Sequence, residues 1–291
     1  MNVWVAGVAV VLAAAGVGKA AAEGQVVEGR FERTLAIVDG TELDVRTTSG
    51  RIEVRAGKPG EARISAWVRG YADRWTPDGS DVVKERVRAI AARPPVGVSG
   101  GVLRVGYGGG EARQVGVSYR VVVPVDTKVR LHTGSGTVVV GGIRGPLEVR
   151  NGAGATTVAN IAGDVTVAAN SGRVELRRVA GEVDARTGAG AISIGRPGRA
   201  VRAHTGSGRI EVEGAPEGTW ELTAGSGDIQ VAMPGDAAFE VDAHTRVGTV
   251  SANHEIDVEA RATGQLYGIA GEGGPRVVLR TGSGDIVVDV D

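Results

Sequence analysis

A Gly-rich corner recurs every 18 residues through the middle of this chain, closing at Gly136, Gly154, Gly172, Gly190 and Gly208 in T-G-S-G, N-G-A-G, A-N-S-G, T-G-A-G and T-G-S-G. It continues less strictly to Gly227, Gly248 and Gly284, and an early copy stands at Gly50. A fixed period of this length severely limits the available folds. A unit so short cannot bury a hydrophobic face alone, so neighbouring units must stack.

Four columns of apolar residues keep step with the corners. Seven before the last Gly stand Val129, Leu147, Val165, Val183, Val201, Trp220, Val241 and Val277, and five before stand Leu131, Val149, Val167, Ala185, Ala203, Leu222, Ala243 and Leu279. Two after come Val138, Thr156, Val174, Ile192, Ile210, Ile229, Val250 and Ile286, and four after come Val140, Val158, Leu176, Ile194, Val212, Val231, Ala252 and Val288. The residues between are mixed polar and charged, the period-two pattern of strands with one face inward. Each unit therefore holds a short strand on either side of the corner. A second turn follows at Gly145, Gly163 and Gly181, with Ile143, Ile161 and Val179 as inward plugs. Stacking pairs each strand with its counterpart one coil away, about 4.8 Å along the axis. The expected fold is all-β, a β-solenoid.

Composition agrees. With 48 Gly in 291 residues and only 3% aromatics, the chain suits a narrow tube filled by small and β-branched side chains. Three before each corner Gly sit Thr47, Thr133, Asn151, Ala169, Thr187, Thr205, Ala224, Thr245 and Thr281. Their parity is inward, at the bend, where hydroxyl or amide groups can bond the turn backbone and each other in a ladder. The alternative is a plain turn preference with no ladder.

Residues 1–22 read as a signal peptide. An unbroken run of apolar and Gly residues spans 3–17, and Ala20-Ala21-Ala22 precedes Glu23. An uncleaved anchor is the other reading, for which the run is short against the roughly 20 residues a span needs. Residues 23–126 form a β-rich region with one helix, continuous with the solenoid. They contain strand candidates at 63–71, 102–107 and 117–123, a polar loop around Pro77, and a helix at 80–92 capped by Ser80 and ended by Pro94-Pro95. This region is expected to cover one end of the stack. The repeats occupy 127–291, with an irregular insertion near 253–275 that reads as a hairpin or loop leaving the coil. Asp289 and Asp291 put charge on the last strand, as an exposed edge would require.

The order of these motifs resembles a bacterial putative-adhesin β-solenoid family of unknown function, whose members carry T-x-S-G-x-I-x-V corners. The resemblance rests on F-E-R-T-L at 31–35, T-T-S-G-R-I-E-V at 47–54, V-V-V-P at 121–124 and G-G-P-R-V-V-L-R-T-G-S-G-D-I at 273–286. It implies an exported or envelope-associated solenoid and carries over no catalytic residues.

The chemistry readable from the residues is sparse. A net charge of −1 and a pI near 6.5 give no basic excess for nucleic acid. The absence of Cys excludes disulfides, thiolate metal sites, a Cys nucleophile and an N-terminal lipidated Cys. The Gly corners open strands rather than helices, so they lack the context of a phosphate loop. Asp228 and Asp285 in G-S-G-D-I are too few for the stacked nonapeptides of calcium-binding coils. No metal or cofactor is expected. His132, His204 and His244 fall four before a corner, on the outward face. On sequence order the first two lie four coils apart, about 19 Å, and the last two lie two coils apart, too far to share a metal.

The same outward column carries Arg46, Arg150, Arg186 and Arg280, so that Arg46, His132, Arg150, Arg186, His204, His244 and Arg280 form a broken basic stripe. This is the candidate binding surface, for an anionic surface polymer or lipid head group. Outward carboxylates two residues earlier, at Asp44, Glu148, Asp184, Glu221 and Asp242, are placed to offset it. R-I-E and R-V-E at 51–53, 173–175 and 209–211 read as cross-strand charge pairing.

The leading expectation is a non-enzymatic exported or envelope solenoid, an adhesin or surface scaffold that is periplasmic, on the cell surface or secreted. Its partner would be a surface polymer or envelope protein, with membrane contact only through an uncleaved N-terminal segment. An envelope-stress sensor is the alternative. A polysaccharide-cleaving enzyme is the rival of a different class, but it needs paired carboxylates on neighbouring coils. Glu175 and Glu211 share a column only two coils apart, with Ser193 between.

Overall fold

The computed structural model describes residues 26–71, 79–106, 114–253 and 256–291. The signal segment expected at 1–22 and the loop around Pro77 lie outside the described residues. Two compact units divide the chain between Val140 and Gly141.

The first unit contains β1 (Val26–Ala36), β2 (Glu42–Ser49), β3 (Ile52–Gly57), β4 (Glu61–Tyr71), helix α1 (Gly79–Ala92), β5 (Val96–Ser99), β6 (Val102–Val105), β7 (Val115–Pro124) and β8 (Val129–Ser135), and β9 (Val138–Gly141) falls at its end. The strands β6-β2-β8 stack in parallel, as coils should, and β3 pairs in parallel with β7. The chain then departs from the solenoid pattern, because β4 pairs antiparallel with both β7 and β1. The helix expected at 80–92 is α1, one residue longer, and it buries Val83 and Val87 against β1 and β4. Two glycines make that approach possible. A Cβ at Gly70 would stand 2.3 Å from Val83 Cγ1, and one at Gly29 would stand 2.9 Å from Val87 Cγ1.

The second unit contains β10 (Leu147–Ala153), β11 (Thr156–Ile161), β12 (Val165–Ser171), β13 (Val174–Val179), β14 (Val183–Ala189), β15 (Ile192–Pro197), β16 (Val201–Ser207), β17 (Ile210–Glu213), β18 (Trp220–Ser226), β19 (Ile229–Met233), β20 (Phe239–Thr245), β21 (Val250–Ala252), β22 (Ile256–Ala262), β23 (Gln265–Ala270), β24 (Arg276–Ser283) and β25 (Ile286–Val290). Strands before the corners form one sheet and strands after them a second, each parallel and in register with its neighbour one repeat away. The apolar columns are buried as the alternation requires. Val250 and Ala252 are only half-buried, because β21 is the last strand of its sheet.

The coils do not end in sequence order. In space β24 lies between β18 and β20, and β25 lies between β19 and β21. The chain skips one coil position after Met233, builds the β20–β21 coil, and returns at its C terminus to fill the gap. The expectation that Asp289 guards a terminal edge is therefore corrected: β25 is an interior strand. The hairpin expected near 253–275 is formed, by β22 and β23, but it stays paired to the coil instead of leaving it. Strand β23 pairs antiparallel with β20, and β22 with β23, so a hairpin extends the first sheet with strands of opposite sense. Parallel coils cannot add to that antiparallel outer face in their own pattern.

Side chains at the bends explain the corner motif. Thr205, Thr245 and Thr281 each donate to the carbonyl of a corner glycine on the adjacent coil, at Gly190, Gly284 and Gly227 respectively, at 2.9–3.1 Å. The inward column thus bonds turn backbone, and these threonines do not bond one another. Asp228 and Asp285 have a related role. Asp228 Oδ1 accepts the N–H of Asp285, and Asp285 Oδ1 accepts the N–H and hydroxyl of Thr249. The hydrogen bonds from Thr249 hold the Asp285 carboxyl below its usual range. In G-S-G-D-I the aspartate is thus a coil-to-coil tie.

Candidate functional site

The stripe is built as the alternation predicts, with its residues on the outward face. In the second unit, the registers place Arg150, Ala168, Arg186, His204, Thr223, Arg280 and His244 side by side on β10, β12, β14, β16, β18, β24 and β20. Arg186 is therefore next to His204, and Arg280 next to His244, while Arg150 is set apart by Ala168. The intercalated C-terminal coil corrects one spacing: His204 and His244 are three strands apart, not two. In the first unit Arg46 and His132 are register partners.

The charge of this stripe is largely spoken for. Arg46 pairs with Asp44, Arg150 with Glu148 and Arg186 with Asp184, each at 2.9 Å, and Arg280 reaches Asp242 at 3.3 Å beside Arg276 at 2.7 Å. Glu221 pairs instead with Arg202, at 3.5 Å. The hydrogen bond and charge of Asp44 raise the Arg46 guanidinium further above its usual range. Pairs run both along single strands and across strands, so the cross-strand reading of R-I-E and R-V-E holds only in part. Arg51 and Arg209 reach Glu53 and Glu211 two residues on, at 3.6 and 3.4 Å, while across strands Arg120 reaches Glu53 and Arg209 reaches Asp228, each at 3.4 Å; Glu175 turns to Arg177 at 2.6 Å rather than to Arg173. Residues two apart share a face about 7 Å from one another, well within the reach of an arginine. Glu175 and Glu211 do align through Ser193, but each is held by an arginine two residues away.

A second surface, in the first unit, was not singled out by the sequence reading. Alternation in β4 turns Ala62, Ile64, Ala66, Val68 and Gly70 inward and leaves Trp67 outward, 46% exposed. Its register partners are Arg30 on β1 and Ser118 on β7, with Arg69 opposite Gly116 and Ser65 opposite Arg120. The result is a shallow depression of about 370 Å³ lined by Arg51, Glu53, Trp67, Arg69, Ser118, Tyr119 and Arg120. The Arg120 guanidinium stands over the indole, 5.8 Å from its centroid.

At the base of this depression, Glu53 is buried among three arginines, with Arg55 at 3.2 Å, Arg120 at 3.4 Å and Arg51 at 3.6 Å. Burial pushes its pKa upward. The hydrogen bond from Arg55 and the charges of Arg120, Arg55 and Arg51 outweigh that and hold the carboxyl below its ordinary range. One carboxylate cannot neutralise three guanidiniums, so positive charge is left over here. Tyr119, edge-on to Phe31, is buried beneath, and burial pushes its phenol well above the usual range. The available sequence signal was a lone Trp on the polar parity of an alternating strand.

Among the described residues, no group of three or more His, Asp or Glu is placed to hold a metal ion, and no helix is long and apolar enough to cross a membrane. In-register two-sheet coils with their chemistry on outward columns define a β-solenoid repeat protein. The chain belongs to the Toastrack DUF4097 family, whose model matches residues 118–289. No curated protein matches it. Among solved structures it is similar to a putative adhesin from Parabacteroides distasonis ATCC 8503, at 9% identity over 91% of this chain and 97% of that one, with a TM-score of 0.41. It is also similar to a putative cell adhesion protein from Clostridium sporogenes ATCC 15579, at 10% identity over 90% of this chain and 100% of that one, with a TM-score of 0.30. A third is a putative lipid binding protein from Parabacteroides distasonis ATCC 8503, at 11% identity over 89% and 96% of the two chains, with a TM-score of 0.26.

Proposed function

We propose that this chain is a non-enzymatic β-solenoid of the cell envelope or exterior, acting as an adhesin or surface scaffold. The observation that carries the reading is the outward face of β10-β12-β14-β16-β18-β24-β20, seven parallel strands whose outward residues fall in register. Such a face presents repeated side chains at about 4.8 Å intervals and suits contact with an extended partner. The ion pairs along its strands hold long side chains in place, which lowers the entropy lost on contact. The apolar run at 3–17 supports export.

Fractionation of the producing cells, with sequencing of the mature N terminus, tests the location. Incubation of the purified chain with isolated envelopes and with a panel of envelope glycans tests the activity. The expected result is an exported chain retained on envelopes with no new reducing ends. A cytoplasmic chain, or release of reducing ends, would overturn the reading.

A further inference from the structure

We infer that the Trp67 depression is a binding site for an anionic glycan, a pyranose polymer bearing carboxylate or phosphate groups; this rests on the surface-binding reading above and names its ligand. Two independent features meet there. The first is surplus charge: Arg51, Arg55 and Arg120 share the single carboxylate of Glu53, leaving two positive charges uncompensated on side chains that remain 52–57% exposed. Guanidinium groups with free N–H donors recognise carboxylate and phosphate through paired hydrogen bonds. The arginines of the stripe offer less, because Arg46, Arg150 and Arg186 each have a carboxylate of their own and Arg280 shares Asp242 with Arg276 alone.

The second feature is a flat apolar surface in the middle of that charge. Trp67 lies on the outward parity of β4, 46% exposed, with the Arg120 guanidinium over its ring, so that an aromatic surface stands within the arginine cluster. Trp67 is held by the Arg120 guanidinium, which limits its rotamers before any ligand arrives. Beside it the floor is kept low by Ser118 and Gly116, and Ser118 Oγ is fixed by accepting the Arg51 backbone N–H at 3.1 Å. Indole stacks on the C–H face of a sugar ring while arginines take its charged substituent. A bare anion uses only the first feature, and a neutral sugar only the second. The whole depression lies within one unit, between β3, β7 and β4.

The test is a titration of the purified chain with oligogalacturonate, its full methyl ester and a phosphate-bearing mannan, with phosphatidylglycerol vesicles and single-stranded RNA in parallel. Binding to at least one charged glycan is expected, weakened about tenfold or more by methyl esterification, which removes a charge-assisted pair. Trp67→Ala and Arg51→Gln should each weaken it about tenfold with an unchanged melting temperature, and Arg51→Gln keeps the proposal testable should Trp67→Ala fail to fold. Equal binding of the methyl ester, insensitivity to both variants, no binding to either charged glycan, or capture of vesicles or RNA alone would overturn it. The titration is indifferent to where the protein resides, so its failure is separable from failure of the envelope reading.

Discussion

Deletion of residues 276–291 is expected to unfold the end of the second unit rather than shorten it by one coil. In a solenoid whose coils follow sequence order, losing the last repeat exposes one new face and leaves the others paired. Here the deleted strands are interior. β24 bonds β18 on one side and β20 on the other, and β25 bonds β19 and β21. The deletion removes the buried side chains of Val277, Leu279, Ile286, Val288 and Val290. At about 1.5–3 kcal/mol each, these five amount to about 10 kcal/mol, as large as the whole stability of a typical domain. The Thr281 and Asp285 ties to Gly227 and Thr249 go with them. Amide exchange measured by mass spectrometry should show β18 through β23 losing protection, and the uncovered Trp220 should shift its emission to the red. Retained protection in β20 and β23 would mean that the coil is peripheral.

Gly190→Val should destabilise the second unit by about 3–6 kcal/mol, through backbone conformation and overpacking together. The corner places Gly190 at φ +147°, where a side chain is strained whatever the available space. A Cβ there would also stand 2.1 Å from the carbonyl oxygen of Gly172, an atom fixed by the coil below. Gly190 cannot move alone, because Gly208 is stacked on it in the same way, at 2.3 Å. The matched control is Gly195→Ala on β15, whose nearest neighbour would be Arg177 Cγ at 3.9 Å. That change should be neutral or stabilise by up to about 1 kcal/mol, since alanine narrows the unfolded ensemble. Urea melts of the two variants decide the matter, and equal midpoints would show that the corners tolerate a side chain and are not set by close approach.

Much of the fold was legible because the core is written in columns. Val165, Val183 and Val201 stand at one phase of one period, and burial follows from parity alone. The coil order was not legible, for the same reason. V-V-L-R-T-G-S-G-D-I and V-D-A-H-T-R-V-G-T-V present the same inward pattern, so either fits beside Trp220 and Leu222. The 36-residue interval from Gly248 to Gly284 showed that something was displaced, without showing where the last coil goes. The surface divides similarly. Parity placed Arg46, Arg150, Arg186 and Arg280 outward, yet their pairing depends on side-chain reach, and Asp242 meets Arg280 only because β24 lies beside β20. Trp67 was readable as outward. Its arginine surroundings were not, since they come from β1, β3 and β7, and antiparallel pairing of β4 is not implied by the repeat.

Coil order can be read directly by cross-linking, since the chain has no cysteine of its own. Thr223, Arg280 and His244 occupy one outward column on β18, β24 and β20, in that spatial order. Neighbouring strands are about 4.8 Å apart, within the reach of a disulfide, and alternate strands about 9.6 Å apart are beyond it. Under mild oxidation the pairs Thr223→Cys with Arg280→Cys, and His244→Cys with Arg280→Cys, should therefore form disulfides readily, while Thr223→Cys with His244→Cys should not. Efficient cross-linking of Thr223→Cys to His244→Cys, with Thr223→Cys and Arg280→Cys failing to react, would show that the coils stack in sequence order and would contradict the architecture described above.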